Sequence, residues 1–341
     1  MSEIAVSVGR YPHTAALLDG EVVLEDGVRL AVAPGGTAAA FRGMLDEQAF
    51  DVCEVPIVNY LRARELGVPV TGLPIFTTRR FPHGMLIWNT ATGVRGPSDL
   101  EGRTVGIPYH GNTDVVWVRG LLETDHGVDV DAIDWLASLA EPLEPHAMPE
   151  NVHTVVGAPL GEMLLASEIA GLVEGRGQTI FANDIAALAP DLAAAERAWH
   201  ERTGIFPVLF TVVIADALLA SRPSAAEEVF SAFVDAKADA YARRDTAVEP
   251  PSAEDLTAAR VSGFPLDADV AAQRSYLGAD PLAYGLEPNR LAIAELIRLA
   301  AAQRLIAGAP EPDDAFLPLE QTPDATPHAH KEQASHVADI G

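Results

Sequence analysis

The sequence predicts an α/β protein of two lobes with a ligand cleft between them, and three observations predict it. β-prone runs alternate with helical runs of roughly ten residues through the first third, the mark of parallel β-α-β units. The alternation then restarts past Phe76 as a second unit. A late β-prone run and two helical runs follow, placed to return to the first unit.

Taken in order, Ile4 to Val8 reads as a strand, broken at Tyr11-Pro12-His13-Thr14, with a helix from Ala15. Val28 to Val32 is a second strand, and Phe41 to Gln48 lies on a helix. Val52 to Val58 is a third strand leading into the helix Tyr60 to Leu66, and Val70 to Phe76 is a fourth. The second unit holds strands at Met85 to Trp88, Thr104 to Pro108 and Ile133 to Leu136. Asn112 caps a helix reaching Glu123, with Gly127 just past its end, and Leu160 to Ser167 is another helix. Ile205 to Ile214 is the late strand; Ala225 to Arg243 and Arg290 to Leu305 show apolar residues at helical spacing. Residues 1–82 and 208–308 are thus expected as lobe I and residues 83–207 as lobe II. The crossings fall at Arg79–His83 and Thr203–Pro207. Residues 309–341, acidic and poor in apolar surface, are expected as a disordered tail.

The chain of 341 residues is 48% hydrophobic and 21% charged, enough apolar material for a packed core. It carries 49 acids against 23 bases, a formal charge of -26. Such a surface repels phosphate backbones and anionic lipid, which argues against nucleic-acid and membrane partners. Cys53 is the single cysteine, so no intrachain disulfide can form. The opening residues show no export signal, and a cytoplasmic location is expected.

Candidate site residues cluster at strand ends and crossings, where open α/β sheets bind ligands. Arg10 and His13 follow the first strand, beside a helix start suited to a carboxylate. Arg79, Arg80 and His83 stand at a crossing, and an arginine there can grip a carboxylate through two parallel hydrogen bonds. His110, Asn112 and Thr113 occupy a strand-to-helix turn around Gly111, and Arg202 and Thr203 the second crossing. Glu54 lies inside an apolar strand, so it must be paired, solvated or carry a raised pKa. No HExxH, CxxC or other metal spacing occurs, nor a GxSxG nucleophile motif.

Together, Tyr11-Pro12-His13-Thr14, Asp51-Val52-Cys53-Glu54, Arg79-x-Phe81-x-His83, Arg202-Thr203-Gly204-Ile205-Phe206-Pro207 and Tyr284-Gly285-Leu286-Glu287-Pro288-Asn289-Arg290 resemble the 4,5-dihydroxyphthalate decarboxylase family. Gly106-x-Pro108 and Trp117-x-Arg119-Gly120 fit as well, and the likeness runs from about residue 4 to about residue 308. The resemblance implies the type II periplasmic-binding-protein fold and a cytoplasmic, homo-oligomeric carbon–carbon lyase without an organic cofactor. It implies a small hydroxylated aromatic carboxylate as substrate. Arg79 and Arg202 are then expected to anchor it, with Thr203, Arg10, His110, Asn112 and Thr113 around it. His83 or His13 is expected as the acid, with Glu54 orienting the histidine or accepting a phenolic proton. Glu287, Asn289 and Arg290 are expected to cap the following helix rather than touch substrate. The same fold also carries non-catalytic solute-binding proteins and enzymes resembling menaquinone-pathway dehydratases, which stand as alternatives.

Overall fold

The computed structural model describes residues 3–22, 24, 29–35, 38–143, 148–174, 180, 182–246, 252, 257–258, 261–264, 275–278 and 280–321. The first strands are β1 (Glu3–Val8), β2 (Arg29–Pro34), β3 (Val52–Pro56) and β4 (Val70–Arg79). A second set comprises β5 (Leu86–Asn89), β6 (Thr104–Ile107), β7 (Asp134–Ala137), β8 (Val152–Thr154), β9 (Gly171–Val173) and β10 (Ile185–Ala187). The late strand is β11 (Val208–Ala215).

These strands form two sheets, ordered β2-β1-β3-β11-β4 and β10-β5-β9-β6-β7-β8. β1 and β3 pair in parallel, while β11 slots antiparallel between β3 and β4. The chain therefore leaves the first sheet after Arg79 and re-enters it at Val208, and those two residues face each other in the register. Two sheets joined by paired crossings are the two lobes that the alternating pattern predicts. β3 is buried along its whole length, as a central strand covered on both faces must be.

The helices are α1 (Ala15–Leu18), α2 (Ala38–Arg42), α3 (Ile57–Glu65), α4 (Thr113–His126), α5 (Leu160–Leu165), α6 (Leu192–Thr203), α7 (Asp216–Ser221), α8 (Ala225–Thr246), α9 (Arg290–Ala302) and α10 (Pro312–Ala315). α4 begins where the sequence signals it: the Asn112 side chain accepts from Val115 N–H at 3.2 Å, and Gly127 ends it at φ 64°. Its core side chains are buried nearly all round, because it lies between the lobes. The Trp117 indole donates to Val208 O at 3.0 Å, and a Cβ at Gly120 would meet Leu299 of α9 at 2.6 Å. Among the described residues no helix is long and apolar enough to cross a membrane.

Three expectations differ from the structure. The helix expected over residues 41–48 is α2 followed by a π-helical turn at Gly43–Glu47, closed by Gln48 at φ 51°. β4, expected to end at Phe76, runs on to Arg79, so Thr77, Thr78 and Arg79 are strand residues. The expected tail instead buries Pro312, Ala315 and Phe316 against the first lobe. Phe316 lies buried against Tyr60 and Phe76 with ring centroids 5.3 and 5.6 Å apart, and Leu317 N–H donates to Gly72 O at 3.0 Å. One aromatic ring and a few apolar neighbours supply the burial that bulk composition did not suggest. Residues 322–341 lie outside the described residues.

Candidate active site

The centre of the site is Glu54. It sits on β3 with 1% exposure, so its charge must be met locally or suppressed. One carboxyl oxygen accepts from Gly9 N–H at 2.8 Å and from the Tyr11 hydroxyl at 3.3 Å, and the other accepts from the Thr77 hydroxyl. Burial raises its pKa above the ordinary carboxylate value, although all three donors pull the other way.

His13 stands beside it on the turn Pro12–Thr14, with no exposure. Its ring is layered between Tyr11 and Phe264, centroids 5.5 and 5.9 Å away. Nε2 lies 3.0 Å from Thr77 O. A carbonyl can only accept, so Nε2 carries the proton and Nδ1 holds a lone pair. Nδ1 has no partner. Burial, reinforced by the nearby Lys237 charge, lowers the His13 pKa to about 3, so the ring is neutral near pH 7. Thr77 thus ties the acid and the imidazole together, its hydroxyl on one and its carbonyl on the other.

Arg79 closes the cluster from the end of β4. It is 4% exposed and donates through Nη2 to Ala283 O at 2.7 Å and to Asn289 Oδ1 at 2.5 Å. Its guanidinium lies 5.7 Å from the Phe76 ring centre and 5.9 Å from that of Phe206. Nε is unpartnered, and among the described residues no carboxylate reaches ion-pair distance of Arg79. Burial lowers its pKa to about 10, which still leaves it cationic at neutral pH.

Lys237 of α8 lies alongside, 1% exposed, donating to Asp280 Oδ2, Leu282 O and Gln321 Oε1 at 2.7, 2.9 and 2.8 Å. Burial lowers its pKa to about 8, against the pull of Asp280. Neither Lys237 nor Thr77 was among the expected site residues. The sequence does carry a signal for Lys237: it falls four residues after Phe233 and seven after Phe230, on the apolar stripe of its helix. Thr77 carried no signal, since its role depends on β4 continuing to Arg79. Asn289 also differs from expectation. Instead of capping a helix with its side chain, it holds Arg79 and donates to Ala283 O and Gly285 O at 2.9 and 2.7 Å.

The other expected residues lie apart from this cluster. His83 is buried in an aromatic wall, 6.3 Å from Phe81 and 5.9 Å from Trp199, and Phe81 in turn touches Phe206 beneath Arg79. Its Nδ1 is unpartnered, and burial lowers its pKa to about 4. Arg202 is 58% exposed and paired with Asp125, and Arg10 is 56% exposed and paired with Asp19 at 2.9 Å. In a chain with surplus acids, an arginine at the surface finds a carboxylate there. Thr203 closes α6, donating to Trp199 O at 2.9 Å and accepting from Ile205 N–H at 3.2 Å. Asn112 is the α4 cap, and Thr113 Oγ1 accepts from Val58 N–H at 3.3 Å where α3 and α4 begin. His110 is engaged by Arg119, whose Nη1 lies 2.8 Å from its Nδ1.

Buried neutral histidines make stability pH-dependent with a definite sign. The folded pKa of His83, about 4, lies below its unfolded value of about 6.5. The unfolded chain therefore takes the proton first, so this contribution is complete above pH 6.5 and is lost as pH falls toward 4. Glu54 and Asp114, whose pKa values burial raises, act in the opposite sense, so the comparison must be with a variant. Between pH 7.5 and 5, His83→Leu should lose about 2 kcal/mol less stability than the parent protein. Urea unfolding at the two pH values measures this, and equal losses would show that His83 titrates normally.

A two-lobed α/β frame with a buried acid, imidazole and guanidinium at one strand-end cluster places the molecule among proteins of periplasmic-binding-protein-like fold. The alkanesulfonate-binding protein SsuA from Xanthomonas axonopodis pv. citri superposes with a TM-score of 0.53 at 14% identity, covering 92% of this chain and 96% of its own. In sequence, the chain is similar to proteins named 4,5-dihydroxyphthalate decarboxylase. It is 26% identical to the protein of that name from Comamonas testosteroni over 329 residues, 93% of this chain and 96% of the relative. The namesake from Pseudomonas putida is 30% identical over 134 residues, 39% of this chain and 52% of the relative. No family model matches the chain.

Proposed function

We propose that this protein is a carboxy-lyase that removes CO2 from a hydroxylated aromatic carboxylate, 4,5-dihydroxyphthalate or a close analogue. One observation carries the reading: a chain related along 93% of its length to a decarboxylase of that substrate brings Glu54, His13 and Arg79 into one buried cluster.

Direct loss of CO2 would leave an aryl carbanion with nothing to stabilise it. A ring hydroxyl para to the carboxylate opens an easier route. His13 Nδ1 accepts the phenolic proton, which pushes electron density into the ring. Glu54, whose pKa burial raises, supplies a proton through the Tyr11 hydroxyl to the carbon bearing the carboxylate. The C–C bond then breaks, CO2 leaves, and its electron pair restores the aromatic ring as a phenolate. The phenolate recovers its proton from His13, and solvent reprotonates Glu54, so one proton is consumed per CO2. Arg79 grips a substrate carboxylate, while Phe206 and Phe81 offer apolar surface to an aromatic ring. The reading includes a cytoplasmic homo-oligomer, both features taken from the resemblance; a monomer by light scattering would remove the second.

The test is to incubate the protein with a panel of hydroxylated aromatic acids and measure CO2 release. Turnover of 4,5-dihydroxyphthalate or an analogue is the expected result. Tight binding without turnover would favour a solute-binding protein of this fold, and no binding of any aromatic acid would sink the proposal.

A further inference from the structure

Arg119 offers a second site that the proposed reaction does not use. It lies on α4, 2% exposed, in a small pocket whose lining includes Trp135, Gln303, Glu123 and Asp131. Its Nη1 is occupied twice, by His110 Nδ1 at 2.8 Å and His110 O at 3.2 Å, and the Trp135 ring centre lies 4.4 Å from the guanidinium carbon. Among the described residues Nε and Nη2 have no partner. These two nitrogens form the edge of a guanidinium whose N–H groups run parallel, the edge that takes both oxygens of a carboxylate. A buried cation is costly unless paired, yet among the described residues no acid reaches ion-pair distance of Arg119.

A second orphan group lines the same pocket. Gln303 donates its amide N–H to Val116 O at 2.9 Å, while its Oε1, an acceptor, has no partner among the described residues. A ligand that satisfies both groups presents a carboxylate edge to Arg119 and a hydroxyl donor to Gln303. Charge restricts it further. Glu123 and Asp131 line the pocket, opposed by Arg304 at 3.8 Å from Asp131, and burial together with Arg119 keeps His110 neutral. Arg119 and Arg304 only match Glu123 and Asp131, so the lining carries no surplus positive charge and tolerates a monoanion better than a dianion.

We propose that this pocket binds a small planar monoanion carrying a hydroxyl group, of the class of bicarbonate and short 2-hydroxy carboxylates. Bicarbonate is also what CO2 becomes in water, so the class includes a hydrated product of the reaction proposed above, but the site stands without that reading.

The test is calorimetric titration of the whole protein with glycolate at constant ionic strength, with sulfate as the comparison. Glycolate should bind saturably. Ala302→Trp, which fills the pocket from the exposed end of α9, should weaken binding at least about tenfold, as should Arg119→Lys. Ala302 is remote from the Arg79 cluster, so this variant separates the pocket from carboxylate capture there, and it decides the matter should Arg119→Lys fail to fold. Absence of saturable binding, or unchanged affinity in Ala302→Trp, would overturn the site. Sulfate binding as tightly as glycolate would overturn the monoanion assignment.

Discussion

Replacing Glu54 by glutamine should leave a folded protein that releases CO2 from its substrate at least about 100-fold more slowly. The amide has almost the shape of the carboxyl but cannot pass on a proton. Folding should survive because two of the three donors around Glu54 are hydroxyls, those of Tyr11 and Thr77, which can turn and accept from the new N–H group. The expected stability cost is about 1–2 kcal/mol, the scale of one mismatched buried hydrogen bond. The pH dependence adds a signature. A general acid works only while protonated, so the parent rate should fall as pH rises through the raised Glu54 pKa. That alkaline limb should vanish in the variant's residual activity. Steady-state CO2 release across pH, with urea unfolding of both proteins, checks each part. A variant as active and as stable as its parent would make Glu54 a structural carboxyl and nothing more.

Arg79→Lys should be nearly as damaging, through a different parameter. Lysine keeps the positive charge and can still reach an acceptor such as Ala283 O or Asn289 Oδ1. It loses the planar fork that lets one side chain hold Asn289 and still present N–H groups to a carboxylate. The expected result is a fall in kcat/KM of at least about 100-fold, carried mainly by KM, because the lost contact binds ground state and transition state alike. Lysine rather than an apolar residue is the informative choice, since an apolar residue would abandon buried acceptors as well as the charge. An unchanged KM would place the carboxylate anchor elsewhere in the protein. A fall confined to kcat would instead mean that Arg79 acts on the transition state.

Much of the frame was legible before any coordinates. The alternation of apolar strands with short helices marked every strand of the first sheet but only β5, β6 and β7 of the second, since the three-residue strands β8, β9 and β10 are too short to show a period. Asn112 and Gly127 marked the ends of α4 because capping is chemistry local to a few residues. His13, Glu54 and Arg79 stood out individually for the same reason: each is a polar group beside or within an apolar run, where it needs a partner. Arg10 and Arg202 looked equivalent to Arg79 in sequence. What separates them is burial, which depends on whether a carboxylate such as Asp19 or Asp125 is available at the surface nearby.

The sequence alone determined the class of fold, eight of the strands in their order along the chain and the residue types able to carry acid–base chemistry. These follow from periodicity, capping and the cost of burying charge, all of which act over a few neighbouring residues. The tertiary structure alone decided which of those groups meet. Thr77 links Glu54 to His13 only because β4 lies two strands from β3 across β11, and Asn289 reaches Arg79 across 210 residues of chain. Lys237, Gln321 and Phe316 joined the core in the same way, through packing between distant segments. Contacts of that range are set by how sheets and helices stack, and no local pattern in the chain records them.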